Sequence, residues 1–287
     1  MCHAILVRVV TFASLIVALS ACNGRRDSPG AAIPSPSAAP IASTALIASA
    51  STASTPKLAP KSDASPRAPA RVERLPVHGD LPVSVVLSPS NTAPTTIFLH
   101  GICANGAAYL QTFPEAARAH GGILAMDGDR PCGSTNEYRS FTWDAARQHE
   151  RIEAALIAAG LDVIPPGGLT VVGYSQGASI AEQLAARWPD RYARIVLIGA
   201  PTDPSPAHFR QARGLVTMSC SLDVTSRMRE AARKTDAAGT PATFFEMPGC
   251  THGNVADAER IFGDALTWLD EHSKPIPDGA RAVALKK

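Results

Sequence analysis

Excess charge is what this sequence most conspicuously lacks: 27 Lys and Arg stand against 25 Asp and Glu over 287 residues, a formal net charge of only +2. That balance leaves no broad cationic field, so nucleic acid is not an expected partner. Aromatic residues are scarce at 5%, and none lies between Phe12 and Phe98. The apolar stretch Val9 to Ala21 counts 13 residues, short of the roughly 20 that a membrane-spanning helix needs. None of the six cysteines is spaced C-x-x-C, which removes the usual zinc pattern. There is no internal repeat at any period, so a solenoid is excluded.

What is present divides the chain in two. Residues 1–21 carry Arg8, the apolar stretch and then a small-residue boundary, the layout of a secretory signal. Leu19-Ser20-Ala21-Cys22 resembles a bacterial lipobox, in which the cysteine becomes the lipidated first residue of the mature chain. The resemblance implies Cys22 as the lipid attachment site and a membrane partner through that lipid. Asn23 at the next position is similar to lipoproteins sorted to the outer membrane of Gram-negative bacteria, so the expected localisation is the cell envelope. Residues 22–71 are dominated by Ala, Ser, Pro and Thr, and eight of the 24 prolines fall between Pro29 and Pro69. Such a segment cannot bury enough apolar surface to offset the entropy of ordering it, and is expected as a disordered, semi-extended tether. Residues 72–274 are enough for one catalytic domain, with 275–287 expected as a flexible tail.

From Val72 onward short apolar runs alternate with longer helical patterns, which predicts an α/β fold: a mostly parallel central sheet with helices on both faces. Strands are expected over Val83 to Leu87, Thr95 to Leu99, Gly122 to Met126, Leu169 to Gly173, Arg194 to Ile198, Leu215 to Met218 and Ala242 to Met247. Helices are expected over Ala107 to His120, Asp144 to Ala159, Gln176 to Trp188, Thr225 to Ala238 and Val255 to His272. Ligands in such sheets sit beyond the carboxyl ends of the strands, so the loops that follow strands are where chemistry belongs.

One of those loops is Gly173-Tyr174-Ser175-Gln176-Gly177, between an apolar run and a helix of small residues. G-x-S-x-G in a strand, turn, helix context allows a tight turn that exposes the serine hydroxyl at the helix start, so Ser175 is the candidate nucleophile. A serine needs a base, and the base needs an orienting group. Of the eight histidines only His252, in Gly249-Cys250-Thr251-His252-Gly253, follows the last strand and precedes the last helix. Asp223, after the preceding strand, is the candidate acid and equally a natural helix N-cap; Asp203, in Pro201-Thr202-Asp203-Pro204, is its competitor.

Thr95 to Leu99 ends in His100-Gly101-Ile102-Cys103. Taken with the serine turn, Asp223 and His252, this order of residues resembles the α/β-hydrolase superfamily over about 200 residues. The resemblance implies an oxyanion hole from the backbone N–H groups of Gln176 and Ile102, with Cys103 the alternative to Ile102, and His100 shaping the loop. Below the superfamily it is loose. The serine turn is similar both to carboxylesterases and acyl-protein thioesterases and to cutinases, but cutinases lack the H-G step, and dienelactone hydrolases use Cys where this chain has Ser175.

The connection from Gly199 to Arg213 is too short for a helical cap, so no large lid and an open site are expected. Asp127 to Trp143 is the longest loop on the same side, with Arg130, Tyr138, Arg139, Phe141 and Trp143 available to shape a pocket. In an exported domain the remaining cysteines should be oxidised; Cys220 and Cys250 follow neighbouring strands, as do Cys103 and Cys132, which predicts those two pairs. The expected activity is hydrolysis of a small-molecule or surface-presented carboxylic (thio)ester through an acyl-enzyme, with no cofactor and no metal. A serine peptidase of the same fold, or a non-catalytic binding lipoprotein, are the alternatives.

Overall fold

A computed structural model describes residues 68–285. The expected secretory signal, the lipid attachment site Cys22 and all but the last residues of the tether lie outside the described residues.

The apolar runs become strands because residues that are apolar at successive positions can be buried on both faces only inside a sheet covered on both sides. In chain order the elements are β1 (Glu73–Leu75), β2 (Val83–Leu87), β3 (Thr96–Leu99), α1 (Gly106–Leu110), α2 (Pro114–Ala119) and β4 (Gly122–Met126). A hairpin of β5 (Arg130–Pro131) and β6 (Arg139–Ser140) follows, then α3 (Ala145–Ala158), β7 (Val163–Ile164), β8 (Leu169–Tyr174), α4 (Gln176–Arg187) and β9 (Tyr192–Ile198). The chain continues through β10 (Gly214–Cys220), α5 (Thr225–Ala237), β11 (Ala242–Met247), α6 (Ala258–His272) and β12 (Val283–Ala284). Eight strands form one sheet in the order β1-β2-β4-β3-β8-β9-β10-β11. The six from β4 to β11 are parallel, and β2 runs antiparallel to both of its neighbours.

Alternation along each strand feeds two cores. Ile97, Leu99 and Val171 face Ile152, Leu156, Ala181 and Leu184 of α3 and α4. Phe98, Val172 and Tyr174 face the other way, onto Leu110, Ala117 and Phe262 of α1, α2 and α6. Phe113 and Phe262 stack with ring centroids 3.9 Å apart, and both are fully buried. Each such side chain contributes about 1.5–3 kcal/mol relative to its exposed state.

The expected single helix over Ala107 to His120 is two helices. Pro114 stands at the start of α2, and Phe113 before it adopts φ −146°, because a residue preceding proline is driven out of the helical region. The last helix begins at Ala258 and not at Val255: Asp257 sits at φ +52°, a left-handed conformation that cannot continue a helix. Residues 275–285, expected as a tail, end in β12, which pairs antiparallel with β7; two strands of two residues each are too short to show a period, and their pairing depends on a partner more than 100 positions away. Between β9 and β10 the chain makes only one 3-10 turn, Pro206–Phe209, and no cap. Among the described residues no helix is long and apolar enough to cross a membrane.

Candidate active site

Ser175 occupies the turn between β8 and α4 at φ +51°, ψ −113°, a conformation in which a residue with a side chain is held only by its surroundings. Two glycines make the turn possible. A Cβ on Gly173 would lie 2.3 Å from the Gly177 carbonyl oxygen, and one on Gly177 would lie 2.1 Å from that of Leu99, both far inside contact distance. Backbone bonds complete the hold: the Ser175 N–H donates to the Ile198 oxygen at 2.8 Å and the Gly177 N–H to the His100 oxygen at 3.1 Å. The last of these fastens the serine turn to the loop after β3.

Three residues from three strand ends meet here. His252 Nε2 lies 3.0 Å from Ser175 Oγ, and His252 Nδ1 lies 2.7 Å from Asp223 Oδ2. Burial raises the Asp223 carboxyl, but the Val224 N–H, the hydrogen bond and charge of His252 and the Arg227 charge outweigh it and hold the group below its ordinary value. An ionised carboxylate can only accept, so Nδ1 carries the proton and the Nε2 lone pair faces the serine hydroxyl. Asp223 does not cap α5, whose N-cap position is Val224 without a side-chain bond. Asp203 is not in the site: it pairs with Arg227 at 2.7 Å and its side chain is 88% exposed.

Five other histidines are engaged away from the serine hydroxyl. His120 pairs with Asp270 and His208 with Glu182, while His149 stacks on Trp188 and His272 on Trp268. Buried His100 has its Nδ1 2.6 Å from the Gly101 oxygen and accepts the Gly128 N–H on Nε2 at 3.0 Å. Nδ1 is therefore the protonated nitrogen, and burial lowers the pKa of the ring despite that backbone bond. A neutral, doubly bonded imidazole shapes the loop.

That loop lies against the serine, since a Cβ on Gly101 would be 3.2 Å from Ser175 Cβ. Gln176 is the first residue of α4, so its N–H has no acceptor one turn back. Its side chain clamps Phe141, accepting the backbone N–H at 3.0 Å and donating to the backbone oxygen at 2.9 Å.

Both expected cysteine pairs are disulfides. Cys220–Cys250, with Cα atoms 5.0 Å apart, joins the loops that carry Asp223 and His252, which are also laced by Leu222 N–H to Cys250 O at 3.1 Å. Cys103–Cys132 joins the loop after β3 to the β5–β6 hairpin.

Of the residues expected to shape a pocket, only Tyr138 lines a groove of about 410 Å³ that it forms with Ile102, Tyr109, Gly253 and Val255; Ile102 follows Gly101, which lies against Ser175, and Gly253 follows His252. Arg139 spends its Nε on the Gly128 oxygen at 2.5 Å, Phe141 packs on His100, Arg130 is exposed, and Trp143 lines a separate surface depression with Arg187 and His208. Tyr109 and Tyr174 are the residues sequence reasoning passed over. Tyr174 is the variable position of the serine turn, and Tyr109 has no signal beyond lying on the first helix after the His100 loop.

Comparison with known proteins bears on the fold. Among curated proteins none matches the chain. The solved structures it resembles include a predicted CIB-like hydrolase from Thermoplasma acidophilum, at 15% identity and a TM-score of 0.52, covering 70% of this chain and 98% of that one. They also include the Staphylococcus aureus fluorophosphonate-binding serine hydrolase FphF, at 13% identity and a TM-score of 0.52, covering 70% of this chain and 99% of that one. At these identities the likeness is one of fold. A family model described as the alpha/beta hydrolase fold matches residues 94–238, half of the chain, and the protein belongs to that family.

Proposed function

We propose that the protein is a serine esterase that cleaves carboxylic esters or thioesters. The observation that carries this reading is the unbroken chain Ser175 Oγ, His252, Asp223, with links of 3.0 and 2.7 Å. Ser175 Oγ attacks the ester carbonyl while His252 Nε2 takes its proton, and the negative charge that forms on the carbonyl oxygen is met by the N–H groups of Gln176 and Ile102. The C–O bond to the alcohol breaks, His252 returns the proton to that oxygen, and an acyl-Ser175 remains. Water then repeats the attack with His252 as base, releasing the acid and restoring the serine. Asp223 keeps the imidazole in the right tautomer throughout.

Further support comes from the absence of a cap between β9 and β10 and from the exposure left to His252, 45% of its side chain; both suit a dissolved or surface-presented ester. The test is hydrolysis of p-nitrophenyl butyrate by wild type and by Ser175→Ala. Turnover that the alanine variant abolishes is expected, and a folded wild type without turnover overturns the assignment.

We also propose that the enzyme is a lipoprotein of the bacterial envelope, attached through Cys22. Leu19-Ser20-Ala21-Cys22 and two disulfides, which suit an oxidising compartment, support it. Expressed in a Gram-negative bacterium with labelled palmitate, the wild type should carry label in the membrane fraction and Cys22→Ala should not; equal labelling overturns the anchor.

A further inference from the structure

The groove that begins at Ile102 and at Gly253, the residue after His252, has a chemistry of its own. Its largest side chains are two tyrosines, Tyr109 on one wall and Tyr138 on another, with Ile102 and Val255 completing the apolar surface. Tyr109 continues a series of rings that leads from the core to the reacting groups: Phe98 lies 5.4 Å from it, Tyr174 5.3 Å from it, and His252 5.6 Å from Tyr174. Two polar side chains on the walls are engaged. Asn105 accepts the Ala108 N–H and donates to the Glu137 oxygen, and the Thr112 hydroxyl donates to the Tyr109 oxygen. Three polar groups of the groove have no hydrogen-bond partner among the described residues, the Tyr138 hydroxyl, the Asn254 side-chain amide and the Tyr109 hydroxyl; Tyr138 and Asn254 are exposed to solvent, whereas Tyr109 is only partly exposed.

The backbone that carries Tyr138 is fixed on both sides of it. The Cys132 N–H donates to its carbonyl at 2.8 Å, Ala104 and Arg139 exchange two bonds at 3.0 and 2.9 Å, and Cys132 is joined to Cys103. A wall already held in position loses little further freedom when a ligand stacks on it.

We infer, resting on the esterase reading, that this groove receives the aromatic ring of the ester, and that the ring carries a hydroxyl or methoxy group that accepts from Tyr109 Oη. Flat tyrosine faces favour a ring over an alkyl chain by the preferred offset and edge geometries of aromatic pairs. An alkyl chain would leave the free hydroxyl of Tyr109 without water or a partner, the kind of loss that polar sites use to reject analogues.

Two matched series test this on the wild-type enzyme. One places the ring in the acyl part: methyl 3-(4-hydroxyphenyl)propanoate, methyl 3-phenylpropanoate and methyl hexanoate. The other places it in the alcohol: benzyl acetate against hexyl acetate. In one series kcat/KM for the ring-bearing ester should exceed that of the alkyl ester by about tenfold. Tyr138→Ala should remove that ratio, and Tyr109→Phe should bring the hydroxylated and unsubstituted ring esters to equal kcat/KM. Vinyl acetate, too small to fill the groove, reports the serine chemistry alone. If vinyl acetate is turned over in a Ser175-dependent way but neither series shows a preference for the ring, the groove inference fails and the esterase reading stands; if no ester is turned over, both fail.

Discussion

The Gly253 N–H donates to the Tyr174 hydroxyl at 2.6 Å. Tyr174 precedes the serine and Gly253 follows His252, so one bond ties the turn that presents the hydroxyl to the loop that presents the base. The ring is 2% exposed and cannot move without disturbing the core around Phe98 and Tyr109. Tyr174→Phe keeps that packing and deletes only the acceptor. The expected result is a fall in kcat for p-nitrophenyl butyrate of about tenfold with KM changed less than about twofold. An unchanged kcat would mean that the His252 loop is held without this bond.

Asp223 and Asp203 both follow strands, yet they should respond very differently to removal of their charge. Asp223 accepts from His252 and from Val224, whereas Asp203 is engaged by Arg227 at the surface. Asp223→Asn should lower kcat/KM by roughly 10³ to 10⁴, because an amide permits the wrong imidazole tautomer. Asp203→Asn should leave it within about twofold, as expected for an exposed ion pair. Steady-state kinetics of the two variants side by side decides the matter, and a large loss in Asp203→Asn would overturn the assignment of the acid.

How much of this is legible in the residues depends on how local the signal is. β8, the serine turn and α4 are readable because strand, glycines and helix follow one another without interruption, and β2, β4 and β11 have the bounds their apolar runs predict. The break between α1 and α2 is not read from period alone, because the apolar spacing continues through Pro114 and only the backbone restriction on Phe113 interrupts it. β1, β7 and β12 are two or three residues long and exist through their partners, so nothing local marks them. The choice between the two aspartates is likewise tertiary, since it turns on Arg227, in α5, reaching Asp203. Tyr109 is invisible for the same reason: its role depends on a wall supplied by a hairpin about 30 residues on.

Stability should depend on pH in two separate windows. His149 is stacked on Trp188 and lies beside Arg191; burial first, and the Arg191 charge second, bring its pKa down to about 4. Between about 6.5, the unfolded value, and 4 the unfolded chain binds a proton that the folded one does not, so acidification over that range favours unfolding. Asp129 acts lower. Burial raises its carboxyl, but Thr142, Arg147 and Gln148 bring it to about 2, so its contribution is present above about 4 and is lost as pH falls toward 2. Thermal melts from pH 7.5 to 2.5 should show His149→Gln with a flatter slope than wild type above pH 4. Asp129→Asn should be less stable at neutral pH and converge on wild type at the acid end. Parallel curves for either variant would overturn its assignment.

Cys220 lies three positions before Asp223 and Cys250 two before His252, so the disulfide between them sets how closely the two loops can part. The bond closes a separation of 30 residues, as Cys103–Cys132 does with 29, and loop-closure entropy assigns each about 3–4 kcal/mol. Stability alone will therefore not tell them apart, but catalysis should. The Cys220→Ala, Cys250→Ala double variant is expected to lose kcat by at least about tenfold at a temperature where it remains folded, since the link from His252 to Asp223 then depends on backbone bonds such as Leu222 to Cys250 alone. Reduction of the wild type, with alkylation and intact mass to count the opened thiols, should produce the same fall, and reoxidation should restore it. Full activity with all four thiols alkylated would mean that those backbone bonds hold the two loops without the sulfur bridge.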